Sequence, residues 1–101
     1  MSAYPNRRTN MVVKGYGTAT VTVSSLAAAA EASADVTVNG AELGDFVLVS
    51  PPEDCDNDLI FCAHVSAANT VTVNVTNVDT SAKTLSGTSW RVLVIDGDAG
   101  R

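Results

Sequence analysis

Hydrophobic and polar residues alternate most regularly in Thr70–Thr76, which reads TVTVNVT. Val71, Val73 and Val75 occupy every second position, and threonine or asparagine fills the positions between them. A period of two built from β-branched residues predicts a strand with one buried face and one solvent-facing side. The apolar run Leu59–Val65 lies upstream, and a short segment that contains an asparagine separates the two runs. The two runs are therefore predicted to form a β-hairpin.

Similar patterns predict strands along most of the chain. Asn39-Gly40 is typical of a tight turn, Pro51-Pro52 should end a strand, and Gly15-Tyr16-Gly17 is expected to break the first one. The spacing predicts an all-β fold, a small β-sandwich or barrel of about seven short antiparallel strands. The expected strands are Met11–Lys14, Thr18–Ser24, Ala34–Val38, Phe46–Ser50, Leu59–Val65, Thr70–Thr76 and Thr88–Ile95.

The remaining segments predict the organisation of the domain. Residues 1–17 are interpreted as an extended N-terminal arm with the first short strand, 18–96 as the sandwich or barrel body, and 97–101 as a polar tail. Leu26–Ala32 has high helix propensity, so it is expected to form one or two helical turns or a loop between strands. Asn77–Gly87 is expected to be a polar connection.

Two large aromatic residues are candidate anchors of the core or of a subunit interface, Trp90 and Phe46. Phe46–Ser50 is apolar on both faces, which predicts a position in the middle of the packing. The last expected strand is also apolar on both faces, so one of them is expected to be covered by another chain. A core built mainly from Val and Ala is thin, which favours a homo-oligomer.

Charge is distributed unevenly along the chain. The net charge of −5 argues against nucleic acid as a partner, yet Arg7 and Arg8 lie close to the start. With Tyr4 they are the residue types that anchor interfaces, so they are predicted to contact an acidic surface, or else to belong to a solubilising tail. No apolar run is long enough to span a bilayer, and no signal-peptide pattern is seen. Synthesis in a reducing cytosol with free thiols at Cys55 and Cys62 is expected, and a disulfide between them would form only if the protein later left the cell.

Candidate chemistry is sparse. Cys55, Cys62 and His64 are zinc-ligand types, but the paired spacing of zinc sites is absent. The acidic loop Glu53–Asp58 begins like a calcium loop but lacks the required Gly and Glu, so a solvated loop is expected, with a looser cation site between subunits as the alternative. His64 is the single histidine, and Cys62 would share its strand face, but nothing nearby indicates an oxyanion hole. We therefore expect no enzyme activity, no metal and no cofactor.

Three stretches together resemble a group of small proteins encoded among tailed-phage structural genes and described as capsid decoration, cement or head-fibre-like proteins. The stretches are Gly44–Pro52, Val65–Val73 and Trp90–Val92, and the resemblance covers about Thr18 to Ile95. It implies a β module on the outside of a phage head, arranged as a homotrimer or less often a dimer. The acidic loop with Cys55 departs from the pattern of the group.

The resemblance and the residue patterns lead to one functional expectation. The chain is expected to be a structural virion protein that binds the major capsid protein on the outer capsid surface between capsomers and stabilises the shell. Tyr4, Arg7 and Arg8 are the expected capsid contacts. The alternative is a β module of a head fibre or tail that binds a host glycan or receptor.

Overall fold

The computed structural model describes residues 12–53, 55 and 57–97, which form a sandwich of two three-stranded antiparallel sheets. Sheet A contains β1, β6 and β3 in that order, and sheet B contains β2, β5 and β4. The all-β prediction is confirmed, with six strands in the described part of the chain rather than seven, and none of its residues form a membrane-spanning helix. The strands are β1 Val13–Leu26, β2 Glu31–Thr37, β3 Phe46–Ser50, β4 Leu59–Ala67, β5 Thr70–Asn77 and β6 Lys83–Ile95.

The alternation of β5 places its valines between the two sheets. Val71, Val73 and Val75 are fully buried, whereas Thr72 and Asn74 between them are half-buried on the outer side. The predicted hairpin is present, since β4 pairs with β5 in antiparallel register. Asn69 adopts a φ of 63° at its turn, a conformation that asparagine tolerates better than most residues.

Trp90 lies at the centre of the core and is fully buried. Its ring centroid is 5.0 Å from that of Phe61 on the opposite sheet, at an interplanar angle of 56°. Its indole N–H donates a 2.9 Å hydrogen bond to Thr88 Oγ1, so the one polar atom of the side chain is satisfied. The aromatic pair therefore joins sheet A to sheet B.

The expected break at Gly15–Gly17 is absent, because β1 continues through it from Val13 to Leu26 and thus crosses the expected boundary after residue 17. The two glycines lie where β1 approaches β2 closely. A Cβ atom on Gly15 would lie 2.9 Å from Val38 Cγ1, and one on Gly17 would lie 2.9 Å from Val36 Cγ2. Glycine here allows close contact between the sheets and does not interrupt the strand.

The helical alternative for Leu26–Ala32 is wrong. Leu26 ends β1, residues 27–30 form a turn, and β2 already begins at Glu31. Ala29 has a φ of 63° and its N–H donates to the Asn77 carbonyl oxygen at 2.8 Å. Tertiary hydrogen bonds therefore override a helix propensity that is weak over so few residues.

Asn77 is the buried polar residue that joins two connections. Its Nδ2 donates to the carbonyl oxygens of Leu26 and Ser81, both at 2.9 Å, and its Oδ1 accepts from the Asp79 N–H at 2.9 Å. Because Ser81 is fixed in this way, the expected long polar connection shortens to residues 78–82 and β6 begins at Lys83.

The predicted place of β3 in the middle of the packing is also wrong. β3 is an edge strand of sheet A. Val47 and Val49 face the core, whereas Phe46 and Leu48 point outward with 62% and 56% of their surface exposed. An apolar pattern on both faces of a strand has two explanations, burial inside the domain or a second, uncovered apolar surface. In β3 it is the latter.

Candidate functional site

The outer side of sheet A presents a contiguous hydrophobic surface, which we call the apolar face. Two rows of cross-strand neighbours form it. Val13, Ile95 and Phe46 pair in one row, and Tyr16, Leu93 and Leu48 pair in the next. Side chains that pair directly across strands project from the same side of a sheet. The apolar face therefore spans all three strands of sheet A.

Most of the apolar face is open to solvent. Tyr16 is 80% exposed, and Phe46, Leu48 and Val13 are each more than half exposed. Ile95 is buried because it lies between two of these side chains. The side chains of Tyr16 and Phe46 alone expose roughly 280 Å², taking about 200 Å² for a whole aromatic side chain. With their aliphatic neighbours they reach the size at which an apolar patch indicates a binding surface.

A groove adjoins the second row. It has a volume of about 480 Å³, and its walls include Tyr16, Leu48, Leu93 and, from the next row, Arg91. The Arg91 guanidinium is held by a 3.0 Å hydrogen bond from Nη2 to Ser50 Oγ. The groove thus combines an apolar floor with one fixed cation and an exposed ring beside it. It can receive a side chain that is apolar or aromatic.

Sheet A contains no carboxylate. β1, β3 and β6 contain two lysines and one arginine but no Asp or Glu, although the whole chain has eleven acidic residues. Sheet B, by contrast, carries Glu31 and Asp35 on its outer side. The strands of the apolar face therefore add no negative charge of their own to it, and the carboxylates at its end lie around Lys14.

An ion-pair cluster fixes the end of sheet A where the chain enters. Asp45 accepts hydrogen bonds from the Gly97 N–H and the Glu42 N–H, both at 2.9 Å, and its Oδ2 lies 2.9 Å from Lys14 Nζ. The Gly97 N–H, followed by Lys14, lowers the pKa of Asp45 to about 2. The hydrogen bond with Asp45 likewise raises the pKa of Lys14 well above its usual value.

The backbone continues this connection beyond the cluster. The Asp96 N–H donates to the Val12 carbonyl oxygen at 2.8 Å. Val12 immediately precedes β1, so the described chain begins beside the Val13–Ile95–Phe46 row of the apolar face. The position at which the N-terminal residues join the body is therefore fixed.

The residues predicted as sites have different outcomes. Tyr4, Arg7 and Arg8 lie outside the described residues. Trp90 is buried in the core, so it is not available at a surface of the free chain. Phe46 belongs to the apolar face. Of the two places predicted for it, core or interface, the core is excluded.

The candidate metal ligands are not brought together. Cys62 and His64 project from the outer side of β4, and the half-buried Cys55 packs against the core before that strand begins. Cys62 is a free thiol. Asp54 and Asp56 lie outside the described residues. Within the described ranges, no three His, Cys, Asp or Glu side chains are arranged to hold a metal ion.

A chain of hydroxyl groups lies beside the single histidine. Thr72 Oγ1 donates to Asp35 Oδ1 at 2.7 Å, so at the 2.6 Å contact with Ser66 Oγ it acts as the acceptor. His64 pairs with Thr72 across the strands but is not part of these hydrogen bonds. The arrangement fixes the outer face of sheet B and does not place an activated nucleophile next to a base.

No family model, curated protein or solved structure matches this chain. Sequence reasoning missed Tyr16 and Leu48 as surface residues, since the first lies in the supposed strand break and the second in a supposed core strand. One signal did point to the apolar face. The outward residues of the last strand, Leu93 and Ile95, are apolar in a strand whose opposite face is already the core.

Proposed function

We propose that the chain is a structural virion protein, a decoration protein that binds the outer surface of a tailed-phage head between capsomers and stabilises the shell. The observation that carries the proposal is the exposed apolar face on a small, internally pinned β-sandwich. Such a surface serves binding to protein. The resemblance of Gly44–Pro52, Val65–Val73 and Trp90–Val92 to phage decoration proteins gives the setting in which that binding occurs.

The proposal divides the binding between two parts of the chain. The body associates through the apolar face. The N-terminal residues, which contain Tyr4, Arg7 and Arg8, contact the major capsid protein. Bidentate contacts between arginine and carboxylate are among the strongest polar contacts at protein surfaces. Each contact is weak by itself. When several chains associate, binding of one N-terminal segment raises the effective concentration of the others at the capsid surface, so the contacts together give a stable attachment.

A decoration protein also needs a rigid body. Two features of this fold meet that need. Asn77 joins the connections at one end of the sandwich, and the cluster around Asp45 joins β1, the segment before β3 and the chain beyond β6 at the other. Both ends of the body are therefore held by side-chain hydrogen bonds in addition to strand pairing.

Binding to phage heads tests the arm. Purified chain would be incubated with heads that lack it, and the bound amount would be measured after sedimentation. We expect Arg7→Glu/Arg8→Glu to abolish binding and Arg7→Lys/Arg8→Lys to weaken it only in part, because lysine keeps the charge but loses the bidentate geometry. Trp90 fluorescence verifies that each variant is folded. Binding of the Glu variant at the wild-type level would exclude these arginines as capsid contacts.

One observation favours the alternative, a receptor- or glycan-binding module of a fibre or tail. Tyr16 is 80% exposed and lies next to Arg91 and Ser50, which offer hydrogen bonds beside an aromatic ring. The two proposals differ in copy number. A decoration protein is present at numbers comparable to those of the major capsid protein, whereas a fibre or tail module is present in only a few copies per particle.

A further inference from the structure

We infer that the apolar face is the surface through which two copies of this chain associate, sheet A against sheet A. The inference does not rest on the capsid proposal, because it uses only the charge, exposure and shape of this face. The charge of the apolar face, its self-complementary shape and its contrast with sheet B favour a second copy as the occupant.

Charge selects the face by which two copies can approach. A chain with a net charge of −5 repels its own copies wherever carboxylates meet. The strands of sheet A hold none, and Lys14, the lysine nearest the apolar face, is already paired with Glu42 and Asp45. When two apolar faces meet, no carboxylate from β1, β3 or β6 of one copy therefore approaches a carboxylate from those strands of the other.

The apolar face is complementary to itself. In a two-fold pair each residue of a patch contacts the same patch on the partner, so a projection must have a recess close by. Tyr16 is the projection, with four-fifths of its surface exposed, and the groove beside Leu48 and Leu93 is the recess. Both lie in the second row of the apolar face.

Sheet B offers no equivalent surface. Its outer side includes Ile60, which is as exposed as Leu48, but the cross-strand neighbours of Ile60 in the same row are Thr76 and Glu31. A single apolar residue among polar ones is ordinary for a protein surface. Ile60 is thus a matched control for Leu48. Both lie in edge strands, both point outward, and each is 56% exposed.

The test is the molar mass of the full chain in solution, measured by light scattering across a wide range of concentrations. We expect the wild type to reach twice the mass of a single chain, which is 10.4 kDa. Leu48→Lys should reduce it to one chain at every concentration, and Ile60→Lys should leave it as in the wild type. Tyr16→Ser, a change at the most exposed position, provides a second disruption that does not add charge.

Several results would overturn the inference. These are a wild-type chain that stays monomeric at the highest concentration, a dimer that survives both Leu48→Lys and Tyr16→Ser, and a dimer that Ile60→Lys dissociates equally well. Buried Trp90 reports the fold of every variant, so loss of structure is separated from loss of association. Failure here would leave the capsid proposal open, because binding to heads and copy number are measured independently of the dimer.

Discussion

Replacing Asn77 by alanine removes the side chain that joins both connections at one end of the sandwich. The residue is fully buried, and its amide makes two donor contacts and one acceptor contact at 2.9 Å, plus a longer one of 3.4 Å to Ala27. The backbone hydrogen bonds of residue 77 to residues 29 and 30 do not depend on the side chain. The substitution therefore isolates the contribution of the amide.

The structure sets the expected magnitude. Three well-placed hydrogen bonds at about 1 kcal/mol each give a loss of about 3 kcal/mol in the free energy of unfolding, because the partner of one bond is left buried and those of the other two part-buried. The total stability of a domain of this kind is roughly 5–15 kcal/mol. At this chain length the loss corresponds to a decrease of about 15 °C in Tm.

Urea denaturation followed by the fluorescence of Trp90 measures this loss, since the chain has a single tryptophan and it is fully buried. Asn74→Ala is the matched control. Asn74 lies on the same strand but on its outer side, half-buried, and its amide makes a long contact of 4.0 Å with Cys62 Sγ. The control should change the stability by less than about 1 kcal/mol. Equal losses for the two variants would refute the role assigned to Asn77.

Two further predictions concern the ends of the sheets. Gly17→Ala places a Cβ atom 2.9 Å from Val36 Cγ2 and should cost about 1–3 kcal/mol by chemical denaturation, whereas Thr18→Ala, on the outer side, should be nearly neutral. An unchanged free energy of unfolding in Gly17→Ala would mean that the two sheets can move apart at this position without cost. The pKa of Asp45 lies at about 2 in the folded chain, chiefly because of the Gly97 N–H, and at an ordinary higher value when unfolded. The contribution of ionised Asp45 to the free energy of unfolding is therefore complete at pH values above its pKa in the unfolded chain, and it is lost as the pH falls toward 2. The Tm difference between wild type and Asp45→Asn should shrink over that interval, and a constant difference would contradict this assignment.

The strands that sequence predicts best are those whose partners lie nearby in the chain. The alternation in Thr70–Thr76 and the adjoining apolar run predict both the β4–β5 hairpin and its buried face, and both are confirmed. Local side-chain chemistry is sufficient there because turn and periodicity agree. The Asn39-Gly40 turn is confirmed for the same reason, with a φ of 96° at Gly40.

The errors arise where a distant part of the fold decides the local structure. The sequence around Gly17 indicates a strand break, whereas in the fold Val36 packs closely over this glycine. The sequence around Ala29 favours a helix, whereas in the fold its N–H donates to the carbonyl oxygen of Asn77, far along the chain. Such contacts leave no periodic signal in the sequence, since each depends on one pair of residues.

The apolar face shows the same limit for binding sites. Phe46 is expected in the core or at an interface because its strand is apolar on both sides, and that pattern does not distinguish the two. The structure distinguishes them through strand order, which puts β3 at an edge and leaves Phe46 exposed. An apolar residue that faces outward in an edge strand is therefore a better indicator of an interface than an apolar residue whose place in the sheet is unknown.

Copy number in purified virions tests the proposed function most directly. The chain would be quantified by mass spectrometry against the major capsid protein of the same particles, with isotope-labelled peptides of both as standards. A decoration protein is predicted at a number comparable to that of the major capsid protein. A small fraction of that number would support the fibre or tail module instead, and absence from the particles would contradict a virion role altogether.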